Sequence, residues 1–166
     1  MMQTVMARVL LTVISTNVYG FLNSVWCSIR TFAYVPERVH ILTAEKDSEM
    51  HLMTLEMLSI ILEEHGILEP EVVMHTFDNG DLGAIATLVD GIISDEVAEG
   101  NTFAIDSTPG KKNEMIACLA RSLGHRSCEH VFYSELTTYE NTRNPFILIP
   151  KQFINPFDIK KEARGA

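Results

Sequence analysis

RVLLTVISTNVYGFLNSVWCSIRTF, Arg8 to Phe32, reads as a strand running straight into a helix. Arg8 to Ile14 is short, β-branched and apolar almost throughout, the pattern of a strand buried on both faces, and Ser15-Thr16-Asn17 closes it. Val18, Phe21, Leu22, Val25, Ile29 and Phe32 then recur at steps of three and four. They line one face of a helix that must stop near Pro36.

The alternation continues outward from there. Val39 to Leu42 predicts a second strand, and Leu52, Leu55, Leu58, Ile61 and Leu62 form a helical stripe from about Asp47 to His65, with Gly66 placed for a left-handed C-cap. Met50, Met53 and Met57 lie at helical spacing beside that stripe and read as core packing. Val72 to Phe77 predicts a third strand, after which Asn79 or Asp81 can cap a helix carrying Leu82, Ile85, Val89 and Ile92. The fourth strand is short, Thr102 to Ile105. The helix after it runs from about Pro109 to Leu123 with Ile116, Leu119 and Leu123 facing in, and His130 to Tyr133 and Phe146 to Ile149 read as the last two strands. Successive strand–helix repeats with right-handed crossovers build a parallel sheet covered on both faces. The expected fold class is therefore α/β, a Rossmann-like three-layer sandwich with a mainly parallel six-stranded sheet over residues 1–150, followed by a loose C-terminal tail at 151–166.

Length and composition agree with one such domain. The chain has 166 residues, 46% of them hydrophobic and 21% charged, enough apolar side chain for one core. Thirteen Lys+Arg against 22 Asp+Glu leave a formal charge of −9, which disfavours extended contact with long DNA or RNA. An anionic ligand must be met locally. Cys27, Cys118 and Cys128 are odd in number and widely spaced, so a reducing, cytoplasmic setting is expected, and no apolar run reaches the ~18–20 residues needed to span a bilayer. His125, Cys128 and His130 could supply soft metal ligands but lack an obvious fourth, so no metal and no cofactor is expected.

In open parallel sheets, ligands sit beyond the carboxyl ends of the strands where strand order reverses, which in a 3-2-1-4 sheet is between strands one and four. Two loops lie there: Ser15-Thr16-Asn17-Val18-Tyr19-Gly20, and Asp106-Ser107-Thr108-Pro109-Gly110-Lys111-Lys112. The second combines hydroxyls, a glycine that permits close backbone approach, two lysines and a helix start whose free N–H groups attract anions. Together the loops suit a ligand with several phosphates or riboses. The same residues have a purely structural reading: Thr108-Pro109 is also an ordinary N-cap followed by proline, and Thr16 or Asn17 can simply cap the first helix. A dinucleotide fingerprint and a P-loop are both incomplete, with only Gly20 after strand one, and Ile105 and Lys112 where a P-loop wants Gly and Ser/Thr.

Asp106, Thr108, Gly110 and Lys112, at alternate positions after strand four, resemble the strand-four motif of the CARF family, the CRISPR-associated Rossmann-fold domains that bind cyclic oligoadenylates. Ser15-Thr16-Asn17 is similar to that family's strand-one motif, and the alternating pattern from Arg8 to about Ile149 covers most of the chain. The resemblance implies a homodimer in which the two strand-four loops meet around a two-fold axis and hold a symmetric ring of adenylates. It implies ligand contacts from Ser15, Thr16, Asn17, Asp106, Ser107, Thr108, Pro109, Gly110, Lys111 and Lys112.

Many members of that family carry a nuclease or winged-helix domain behind the sensor, whereas only Lys151 to Ala166 follow Pro150 here. The expected function is therefore that of a standalone ring nuclease that cleaves cyclic tetra-adenylate without metal, switching off type III CRISPR signalling. Each ribose 2′-OH would attack the adjacent phosphate, with Lys112 and Lys111 stabilising the developing charge and Ser15 among the hydrogen-bond donors. Asp106 would orient a lysine or a ribose hydroxyl. The alternatives are a sensor that binds the ring and regulates a separate partner, and an enzyme using another mononucleotide on the same scaffold.

Overall fold

The computed structural model describes residues 6–14, 17–44, 49–78 and 80–165. Along the chain run β1 (Arg8–Val13), α1 (Val18–Phe32), β2 (Arg38–Thr43), α2 (Glu49–Glu64), β3 (Glu71–Thr76), α3 (Leu82–Ala98), β4 (Thr102–Asp106), α4 (Lys112–Ser122), β5 (Cys128–Leu136), β6 (Ile154–Asp158) and α5 (Ile159–Gly165). Three 3-10 turns, Tyr139–Arg143, Phe146–Leu148 and Lys151–Phe153, join β5 to β6. The sheet order is β3-β2-β1-β4-β5-β6, parallel throughout except for the antiparallel β5–β6 pair. This is the α/β Rossmann-like architecture the alternation predicts.

Side-chain parity along β1 explains why both of its faces are covered. Val9, Leu11 and Val13 point to one side, where Ile85 and Val89 of α3 and Met115 and Cys118 of α4 pack on them. Leu10 and Ile14 point to the other, against Phe21, Leu22 and Val25 of α1 and Leu58 and Leu62 of α2. The caps follow the sequence reading: Asn17 Oδ1 accepts from Gly20 N at 3.1 Å, Asp81 Oδ1 accepts from Ala84 N at 2.9 Å, and Gly66 has φ 96°.

Several element expectations are corrected. Phe146 to Ile149 is not a strand; Pro145 and Pro150, each at φ −59°, bracket it into a 3-10 turn closed by the bond from Leu148 N to Pro145 O at 2.9 Å. The sixth strand comes instead from the expected loose tail, where β6 adds antiparallel to β5 with Pro156 tolerated on the sheet edge. Buried Asp158 fixes it by accepting from Val131 N at 3.3 Å and holding His130 Nδ1 at 2.7 Å, and Lys160 donates to His125 O at 3.2 Å and to Cys128 O.

On α4, Ile116 and Leu123 face out, 65% and 44% exposed, because Met115, Cys118 and Ser122 form the inward stripe. On α2, Met50, Leu52 and Met53 are exposed rather than core. Apolar residues encircle that helix, and only the face bearing Leu58, Ile61 and Leu62 meets the sheet.

Candidate functional site

The chain reverses its direction of travel across the sheet between β1 and β4, which lie side by side with Thr12 opposite Asp106. Ligand crevices form at this end of such sheets. The Asp106–Lys112 loop stands there, and its internal bonds assign each residue a place.

Asp106 is fully buried. Its Oδ1 accepts from Thr108 N at 3.0 Å, a side-chain turn that folds the loop back on itself, and its Oδ2 makes a short bond with Ser24 Oγ of α1. Burial pushes the Asp106 carboxyl up to about 6, opposed by the bonds to Ser24 and Thr108. Asp106 therefore orients its own loop and α1 rather than a lysine.

Ser107 N and Oγ both donate to Phe132 O at 2.8 Å. Thr108 Oγ1 accepts from Ser134 N at 2.9 Å. Two hydroxyls expected to hold ligand thus tie the loop to β5. Pro109 is buried and precedes the helix rather than starting it. Gly110 has φ +91°, and a Cβ placed there would lie 2.9 Å from Val13 Cβ, so only glycine lets this loop press against the end of β1.

The cations sit at the start of α4. Glu114, itself buried, accepts from Lys111 N at 3.2 Å and holds Lys111 Nζ at 3.9 Å, leaving that side chain 62% exposed. Lys112 is exposed in the first helical turn and makes no ion pair among the described residues. Backbone N–H groups of a first turn lack intrahelical acceptors, so Lys112 stands beside an anion-attracting helix end. Glu114 occupies part of that field.

From the first loop, Asn17 caps α1, and its Nδ2 donates to Thr142 O at 3.2 Å, while Ser15 and Thr16 lie outside the described residues. The three soft ligands considered for a metal are otherwise engaged: His130 with Asp158, His125 Nδ1 accepting from Ser127 N at 3.2 Å, and Cys128 Sγ on His130 O at 3.6 Å.

The sequence reading missed Asn23, Ser24, Cys27 and Ser134, which line a cavity of about 200 Å3 beside Thr108. Its signal was available. Asn23, Ser24 and Ser28 are small polar residues buried on a helix otherwise packed through apolar side chains.

No family model and no curated protein matches the chain. Solved structures do. Csm6 from Enterococcus italicus, bound to cyclic hexa-2′-fluoro-hexa-dAMP, superposes with TM-score 0.61 at 13% identity, covering 96% of this chain and 44% of that one. Can2 from Sulfobacillus thermosulfidooxidans, in complex with cyclic tetra-adenylate, gives TM-score 0.52 at 12% identity over 76% of this chain and 31% of that one.

This chain has a CARF-like fold. Protein VC1899 from Vibrio cholerae shares it, with TM-score 0.56 and 10% identity over 76% of this chain and 30% of that chain. The chain thus spans less than half the length of each of these structures. Among its described residues, no helix is long and apolar enough to cross a membrane.

Proposed function

We propose that the chain binds a cyclic oligoadenylate, with cyclic tetra-adenylate the favoured ring, where β1 and β4 end, across a homodimer, and cleaves it as a ring nuclease. The observation that carries the reading is the position of Lys112: exposed, without an ion-pair partner among the described residues, and in the first turn of the helix that follows β4. It occupies the switch point of a fold shared with two proteins solved with cyclic oligoadenylates. Ile116 and Leu123 continue the Lys112 face of α4 as exposed apolar residues, which suits a two-fold contact beside the ring.

In the cleavage step a ribose 2′-oxygen forms a bond to the adjacent phosphorus as the bond from phosphorus to the 5′-oxygen breaks. The proton leaves the 2′-OH and the departing 5′-oxygen gains one, giving a 2′,3′-cyclic phosphate and a 5′-OH. Lys112 faces the charge that grows on the phosphorane, and the first-turn N–H groups reinforce it. Lys111 is the weaker candidate because Glu114 already holds it. Localisation in the cytoplasm follows from this reading.

One observation favours the binding-only alternative, a sensor acting on a separate partner. The loop hydroxyls of Ser107 and Thr108 are turned to β5, so fewer groups remain to align a 2′-OH.

Incubating the full chain with cyclic tetra-adenylate in EDTA separates the readings. Linear products support the ring nuclease, an intact bound ring leaves the sensor, and absence of binding removes both. Lys112→Ala should then lower cleavage far more than binding if its contact strengthens in the transition state.

A further inference from the structure

The cavity beside Thr108 adjoins a larger one of about 710 Å3, and the two share Cys27, Phe146, Ile149 and Ile154 as walls. They form one trough along α1, with Asn23 and Ser24 at one end and Arg30 and Lys151 at the other. Ligand sites commonly enclose ~300–1,000 Å3. Gly110, Lys111 and Lys112 do not line it; it shares Thr108 with the strand-four loop and Gly20 with the first loop.

Three features of this trough point to one chemistry. The chain carries 22 acidic residues, yet among the described residues no carboxylate lines either compartment; the charged liners are Arg30 and Lys151, both without ion-pair partners among the described residues. Phe146, whose ring also packs against Trp26 with centroids 5.9 Å apart, lines both compartments. Asn23 is 8% exposed and donates through Nδ2 to Asn144 O at 2.7 Å, while its Oδ1 accepts from no described residue. A nearly buried acceptor facing a cavity is built to meet a donor. Asn23 and Arg30 are seven residues apart on one helix, ~10 Å along its axis.

We propose that this trough binds a nucleoside monophosphate, with an adenine amine on Asn23 Oδ1, the base against Phe146 and the phosphate between Arg30 and Lys151. The site adjoins the proposed ring site through Gly20 and Thr108 but does not rest on that reading. Stacking on an aromatic face tolerates any base, so Asn23 supplies the discrimination, because an acceptor left facing a carbonyl is penalised.

Calorimetry on the full chain tests this with AMP, IMP, inorganic phosphate and octanoate. AMP is expected to bind one per chain, with IMP and phosphate at least tenfold weaker. The double variant Arg30→Glu/Lys151→Glu should weaken AMP at least tenfold, whereas Arg126→Glu, an exposed charge reversal outside the trough, should not. Both variants alter exposed side chains, and matching circular dichroism confirms their fold. The proposal is overturned if wild-type protein does not bind millimolar AMP, if the double reversal binds it unchanged, if IMP equals AMP, or if octanoate binds as tightly. Cyclic tetra-adenylate binding by the double variant is read in parallel, and its retention while AMP is lost separates the two sites.

Discussion

Ser24 and Asp106 are joined by a short hydrogen bond in which one hydroxyl proton faces two acceptors. Ser24 Oγ lies 2.8 Å from Phe21 O, to which it donates, and also against Asp106 Oδ2. Both bonds are satisfied together when the proton between Ser24 and Asp106 belongs to the carboxyl. Burial favours that neutral form, holding the group near 6 against an ordinary value of 3.8.

A folded value above the unfolded one makes the contribution to stability full below the unfolded value and lost as pH rises through about 6. The slope in that window is roughly 1.4 kcal/mol per pH unit. Asp106→Asn keeps the acceptor for Thr108 N and presents a permanent donor to Ser24. Denaturant titrations at several pH values should show wild type losing ground to this variant between pH ~4 and ~6. A constant difference across that range would sink the idea.

Gly110→Ala is expected to destabilise by about 2 kcal/mol or more, since it combines a positive φ with a clash against Val13. Val13→Ala in the same chain removes Val13 Cγ1, 3.0 Å from the added Cβ, but keeps Val13 Cβ at 2.9 Å, so it should relieve only part of the clash and none of the backbone strain. Partial recovery of the denaturation midpoint, relative to the sum of the single variants, is the readout. Full additivity would mean the two residues do not touch.

How far such features can be read from sequence depends on how local they are. β1 to β4 and the caps at Asn17, Asp81 and Gly66 are legible because each rests on a run or spacing within a few residues. β6 was not, because Ile-Asn-Pro-Phe-Asp has no apolar run and its pairing depends on β5 and on the His130–Asp158 bond, 28 residues apart. The strand-four loop follows β4 where the alternation puts it, but the bonds its side chains make within the fold are not legible in the sequence. Asp106 meets Ser24 across 82 residues, and Thr108 meets Ser134 across 26, separations that no local pattern records.

Thr12 carries a different lesson from the same strand end. It lies directly opposite Asp106, is almost wholly buried, and its Oγ1 makes no hydrogen bond among the described residues. Thr12→Val removes an unsatisfied hydroxyl without changing side-chain shape, so it should raise stability by about 1 kcal/mol. Loss of stability in thermal or chemical denaturation would instead mean that the hydroxyl has a partner, such as an ordered water.

Glu96 supplies a carboxyl of opposite pH behaviour at the other side of the sheet. It is buried on α3, holds Arg38 Nη1 at 2.8 Å and His40 Nε2 at 2.7 Å, and accepts from Asn101 Nδ2 at 2.7 Å. Burial alone would raise its pKa, but the bonds to His40, Arg38 and Asn101 outweigh it and hold the group below its ordinary 4.5. The sign is therefore reversed relative to Asp106: its contribution is present above the unfolded value and lost as pH falls through the folded one. Glu96→Ala leaves Arg38 and His40 without the carboxylate between them and should lose roughly 3 kcal/mol at neutral pH, the scale for breaking one side of a buried pair. Glu96→Gln retains an acceptor and a similar shape and should lose less. The deficit of either variant should shrink as the medium is acidified well below the ordinary glutamate value of 4.5, as wild type loses the same interaction. A deficit independent of pH would show that packing, rather than charge, makes Glu96 important.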